Sequence, residues 1–236
     1  MSYFQTIPRS EPPMPSFELL KPHLRAGHRL ILLKPLSDER FEKPRVANSD
    51  FESPTPPPLT VERVRAHMAK GGNVGVSISD GMLVIDVDTR GAPEGISPIR
   101  QLENSLGVNL SRGPLVLNGG CGQHFYFFHP TFPTLFAIEA SPEFPGVKPN
   151  RRRRYDPRWV SSDGSLRLQH SLPEFPALTF RTWDMVLASG SVHPTTQEHC
   201  FCEILQDNLA DAPLVPRELL VRIVEKPRYS GDYELW

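Results

Sequence analysis

Met82-Leu83-Val84-Ile85-Asp86-Val87-Asp88-Thr89-Arg90 runs as an apolar strand into two carboxylates one residue apart. Side chains alternate along a strand, so Asp86 and Asp88 share one face, roughly 6–7 Å apart at the backbone. The four apolar residues before them anchor the strand in a core, so the pair cannot slide away into solvent. Two like charges held this close repel, and a shared cation relieves the repulsion. The stretch reads as one end of a Mg²⁺ or Mn²⁺ site.

Regular structure can be read outward from it. Upstream, Asn73 to Ile78 alternates as a strand and Asp80-Gly81 signals a tight turn, which predicts a hairpin with Met82–Asp88. Arg29 to Leu33 reads as a first buried strand and Phe17 to Arg25 as a short helix. Thr60 is a good N-cap for a helix from Val61 to about Lys70, ended by Gly71-Gly72. Downstream, Ser97 to Leu106 is a predicted helix. Pro114 to Leu117 and Gln123 to Phe128 are predicted strands. Residues 130–178, rich in proline and carrying Arg151-Arg152-Arg153-Arg154, read as an insertion or long loop. Thr179 to Ala188 resumes strand character, Ser189 to Pro194 turns the chain, Cys200 to Leu205 is a last strand, and Pro216 to Val224 is a helix. The expected fold is α+β, with a mixed, largely antiparallel sheet flanked by helices. The expected division is a Pro-rich arm over 1–16, a domain over 17–212, and a C-terminal helix and tail over 213–236.

At 236 residues the chain can bury a substantial core. Its 26 Lys and Arg nearly balance 27 Asp and Glu, so any attraction to nucleic acid must be local. No apolar run approaches the roughly 18 residues of a membrane span, and the N-terminus has no signal-peptide h-region. Three cysteines make no disulfide framework, and Cys200-Phe201-Cys202 lacks zinc-site spacing. A reduced cytoplasmic setting, with no membrane partner, is the expectation. The 26 prolines, about twice the usual frequency, disfavour long helices.

The second chemical feature is Gly119-Gly120-Cys121-Gly122-Gln123-His124, followed by Phe125-Tyr126-Phe127-Phe128. Glycines let the backbone approach a ligand and leave amide donors for phosphate oxygens. With about half of the aromatic run in the core, His124 stands at the mouth of a strand. Taken in order, Asn73-Val74-Gly75-Val76, Leu83 to Gly91, and this glycine turn with His124 resemble the N-terminal bifunctional primase-polymerase (prim-pol) domain of the archaeo-eukaryotic primase superfamily. Phe180-Arg181-Thr182, the segment Val186 to Pro194, and the loop with Lys34-Pro35 and Lys43-Pro44 add to the resemblance, which spans about residues 28–205.

The resemblance implies a template-dependent nucleotidyltransferase in replication of a plasmid, phage or mobile element. Asp86 and Asp88 would hold the Mg²⁺ or Mn²⁺ ions of a two-metal transfer, and His124 would contact the triphosphate. Gly119, Gly120 and Gly122 would line the nucleotide, Arg181, Ser191 and His193 would lie near the nucleotide or template, and Asn118 and Arg90 are weaker candidates for the same rim. The family's third acidic position falls on Thr179, and Ser189 replaces the usual proline. Asp184 is a possible third ligand if a bulge turns it to the right face. Implied partners are DNA template and primer, NTP or dNTP, and a replicative helicase, for a monomer. No Gly-x-x-x-x-Gly-Lys-Ser/Thr loop is present. The chain reads as standing alone or as a fragment.

Plainer readings stand beside these. The acid pair could cap a turn or meet an arginine, His124 could satisfy a backbone carbonyl, and His193 could be an ordinary turn residue. Arg151 to Arg154 could hold a nucleic-acid backbone or be a solvated loop. Two rival functions remain: a catalytically impaired prim-pol-like module binding nucleotide or nucleic acid within a replication initiator, and a metal-dependent nuclease using the same acids.

Overall fold

A computed structural model describes residues 13–35, 59–78, 81–88, 97–118, 122–129, 168–194, 196–202 and 209–224. Within these, helices α1 (Phe17–Arg25), α2 (Val61–Met68), α3 (Pro98–Leu106) and α4 (Arg217–Val224) surround nine strands. The strands are β1 (Leu30–Pro35), β2 (Gly72–Ser77), β3 (Met82–Asp88), β4 (Leu115–Asn118), β5 (Gly122–Phe128), β6 (Gln169–Leu172), β7 (Phe175–Arg181), β8 (Met185–Leu187) and β9 (Cys200–Cys202). They form a three-stranded sheet, β1-β2-β8, and a six-stranded sheet, β6-β7-β3-β5-β4-β9. All these strand pairings are antiparallel, so the expected α+β class holds.

The strand carrying the acid pair lies inside the larger sheet, between β5 and β7. Its residues alternate between two cores. Leu83, Ile85 and Val87 join Phe125, Phe127, Leu178 and Phe180 in a core shared with Leu102 of α3 and Leu219, Leu220 and Ile223 of α4. Val84 points the other way and joins Tyr126 and Val116 with Leu33, Val74, Val76 and Met68. Burying each such side chain stabilises the fold by about 1.5–3 kcal/mol. Because both faces are covered, Phe125, Tyr126 and Phe127 are all buried, more than the half expected of the aromatic run.

The expected hairpin between Asn73–Ile78 and Met82–Asp88 does not form. β2 pairs with β1 and β8, and β3 pairs with β5 and β7 in the other sheet. The Asp80-Gly81 signal was local, whereas strand choice followed burial: β3 is apolar on both faces and belongs at the centre of a covered sheet. The chain from 168 to 178 is likewise not part of a long loop. It supplies β6 and the start of β7, which form a hairpin. The single strand expected over Thr179–Ala188 is split between β7 and β8, with Asp184 in the left-handed region (φ 76°) at the break.

Helix boundaries follow their caps. The Thr60 hydroxyl accepts a hydrogen bond from the Arg63 amide at 3.2 Å, closing the first turn of α2. Gly107 ends α3 in the left-handed conformation (φ 68°). At the N-terminal side, Ser16 donates its amide to the Gly190 carbonyl at 2.7 Å, so the last residues of the expected arm are docked on the turn after β8. With three α4 side chains in the first core, the C-terminal helix packs as part of the domain. Among the described residues, no helix is long and apolar enough to cross a membrane.

Candidate active site

In an antiparallel sheet, residues directly paired across strands present their side chains on the same face. Asp86 pairs with His124 on β5 and with Thr179 on β7, and Asp88 pairs with Gly122. Arg181, two residues beyond Thr179, returns to the same face beside Val84. These side chains thus continue the Val84–Tyr126 face, at the point where its apolar filling stops. Glycine at 122 adds no side chain opposite Asp88.

Asp86 is held by two groups on different strands. Arg181 on β7 donates through Nε to Asp86 Oδ2 at 3.1 Å, with Nη2 also 3.1 Å from the same oxygen. His124 Nε2 lies 3.5 Å from Oδ1. Burial pushes the Asp86 carboxyl up. Hydrogen bonding and charge from His124, and then from Arg181, outweigh it and bring the group down to about 2. Arg181 also reaches toward Asp184, with Nη1 3.9 Å from Oδ2. Asp184 thus shares the arginine with Asp86.

Thr179 occupies the place across from Asp86 where a carboxylate would face it, and its hydroxyl lies 3.3 Å from the Ser171 hydroxyl. Among the described residues, no group of three or more His, Cys, Asp or Glu could hold a metal ion. Mg²⁺ bound with a nucleotide commonly uses one or two carboxylates and takes its other ligands from phosphates and water. Asp86 and Asp88 fit one ion held in that way.

Residues 23–215 match the family Prim-Pol, described as bifunctional DNA primase/polymerase, N-terminal. The chain belongs to this family. Among solved structures, the primase-polymerase (PrimPol) AEP domain of cyanophage S-2L is 13% identical, with a TM-score of 0.44 over 90% of this chain and 100% of that one. No curated protein matches the chain.

Within the Prim-Pol domain, the residues singled out from sequence divide into four groups. Asp86, Asp88, Gly122, His124 and Arg181 are brought to one face. Asn118 ends β4, paired with Cys200. Arg90, Gly119, Gly120 and Arg151 to Arg154 lie outside the described residues. Ser191 and His193 are buried in the turn after β8. The Ser191 hydroxyl accepts from the Val74 amide at 2.9 Å and donates to the Val74 carbonyl at 2.7 Å. Asn73 reinforces the link, donating to the Val192 carbonyl and accepting from its amide, each at 2.8 Å. The Ser191 hydroxyl thus clamps the turn to β2. His193 accepts a long contact from the Thr196 amide at 3.4 Å and caps its own turn.

His124 also takes a different position from the one expected at a strand mouth. Only 2% of it is exposed, with its ring directed at Asp86.

Two residues near the site carry no sequence signal. His23 of α1 and His28 after it pack against Tyr126, the neighbour of His124 on the same face of β5. His23 Nε2 accepts from the Ser189 amide at 3.0 Å, and its Nδ1 lies 2.9 Å from His28 Nδ1. Burial holds His28 down to about 4. Burial, then the charges of His28 and His124, holds His23 well below the ordinary histidine range. Both rings are neutral at pH 7. They fill the space beneath the site, and their five-residue spacing on a helix end matches no motif.

Proposed function

We propose that this domain is a template-dependent nucleotidyltransferase that makes and extends primers, using a DNA template, NTP or dNTP, and Mg²⁺ or Mn²⁺. The observation that supports this most is the gathering of Asp86, Asp88, His124 and Arg181 on one face, at the end of a buried central strand of a Prim-Pol domain. Phosphoryl transfer needs little covalent chemistry from protein; it needs positioning and charge neutralisation. A bound divalent ion supplies neutralisation of the attacking and leaving oxygens.

The chain's own residues prepare for that. Asp86 stays ionised far below neutral pH, so it is a standing negative charge at every working pH. His124 and Arg181 fix its two oxygens from opposite strands. The two-ion form of the reaction needs a ligand beyond the described carboxylates. Replication of a plasmid, phage or mobile element, with a helicase partner, is the setting that the family resemblance suggests.

One observation favours a second reading. With Thr179 across from Asp86 and Arg181 already on it, the module could bind nucleotide or nucleic acid without turnover. Incubation with single-stranded DNA template, labelled nucleotides and Mn²⁺ separates the two. A ladder of new product supports the transferase. Template binding without product favours the binding module, and shortening of a labelled strand without nucleotides indicates a nuclease. Neither product nor binding overturns both proposals.

A further inference from the structure

Arg181 sits between two carboxylates. Its Nε and Nη2 are on Asp86 Oδ2, and its Nη1 faces Asp184 at 3.9 Å. Asp86 is the better-buried partner, with 24% of its side chain exposed against 41% for Asp184. The guanidinium thus neutralises the acid that a divalent ion would need, and it has a second anion within reach if it lets go. Thr179 adds no negative charge to retain a bare ion. An incoming ion must therefore compete with a tethered cation, at a pair of acids too few to enclose it.

We propose that Arg181 is an exchangeable counter-ion. It covers Asp86 while the site is empty of nucleotide, and swings to the triphosphate when a nucleotide-borne divalent ion takes Asp86. The site then admits the ion with the nucleotide in preference to the ion alone. Phosphate suits this exchange, because the guanidinium fork pairs with phosphate as well as with carboxylate. Asp184 holds the arginine close to the site during the swing. This inference rests on the nucleotide-binding reading above.

The test measures two affinities on the full chain. Mn²⁺ alone is followed by the loss of its free electron-spin-resonance signal, and a non-hydrolysable deoxynucleoside triphosphate is titrated at saturating Mn²⁺. Arg181→Gln is expected to bind Mn²⁺ alone about tenfold more tightly, and the nucleotide about tenfold more weakly, each step being the size of one close charge pair. Arg181→Lys should keep part of the nucleotide affinity. Asp184→Asn leaves the arginine only Asp86, and should weaken binding of Mn²⁺ alone. It also serves if the arginine variants do not fold.

Opposite signs for the two ligands are what an exchanging residue gives, and a purely structural arginine would not give them. Unchanged or weaker Mn²⁺ binding in Arg181→Gln overturns the inference, as does tighter Mn²⁺ binding with unchanged nucleotide affinity. If the wild type binds neither Mn²⁺ nor nucleotide, the proposed function falls with it. If the wild type binds both and the variants show no opposed shifts, only the exchange falls.

Discussion

Thr179 lies directly across from Asp86, on the face that also carries His124. Paired side chains in an antiparallel sheet have Cβ atoms about 4.5–5.5 Å apart, within reach of a shared ion. The threonine hydroxyl turns to Ser171 and brings no charge to the acid pair. Thr179→Asp should therefore raise Mn²⁺ affinity about tenfold and increase nucleotide incorporation, a gain readable by metal titration and product yield together. Unchanged metal affinity would show that this position does not face the ion.

The Asp86 carboxyl and the buried histidines make stability depend on pH in two windows. Asp86 has a folded value of about 2 against 3.8 ordinarily, so its contribution is full above about pH 4 and is lost as pH falls through 2. That shift corresponds to about 2 kcal/mol. His28 is held to about 4 against 6.5, and burial holds His23 well below the ordinary value as well. For these bases the unfolded chain takes up protons first, so stability falls as pH drops from 6.5 toward 4. Denaturant midpoints from pH 2 to 8 should rise across both windows. His28→Gln should flatten the upper window, and Asp86→Asn the lower.

Ser191→Ala removes the hydroxyl that clamps the Val74 amide and carbonyl. The amide is then left buried without that acceptor, which costs about 1–3 kcal/mol. A lower unfolding midpoint with unchanged nucleotide affinity is expected. Nucleotide affinity reduced tenfold at unchanged stability would return Ser191 to the binding site.

Gly190 adopts φ 85°, and a Cβ there would run into the Ser16 carbonyl oxygen. Gly190→Ala should destabilise the fold by more than the roughly 1 kcal/mol of a simple glycine effect, because strain and a backbone clash act together. Faster proteolysis near residues 13–16 and a lower unfolding midpoint are the readouts.

Much of this arrangement was legible in the sequence, through features that are local. The alternation of Val84, Asp86 and Asp88 fixed which side chains share a face, and Thr60 marked the start of α2 through its own hydroxyl. What the sequence could not carry was partner choice between strands. Asp80-Gly81 is a sound turn signal, yet the chain on either side of it goes to different sheets, since pairing is decided by burial of both faces of β3. The β6–β7 hairpin was hidden for a related reason: Pro173 and Pro176 lie at its turn and start, where proline is tolerated, and they masked the strand around them. Arg181 was legible as a site residue, but its hold on Asp86 depends on a cross-strand diagonal that no spacing in the sequence shows. His23 and His28 reach the site through tertiary packing alone.

Primer synthesis on a single-stranded DNA template, with Mn²⁺ and labelled nucleotides, in the wild type against Asp86→Ala combined with Asp88→Ala, bears most directly on nucleotidyl transfer at this face. Product from the wild type and at least a hundredfold less from the double variant, with both proteins folded, is the expected result. Equal product from the two proteins would contradict the assignment of the reaction to Asp86 and Asp88.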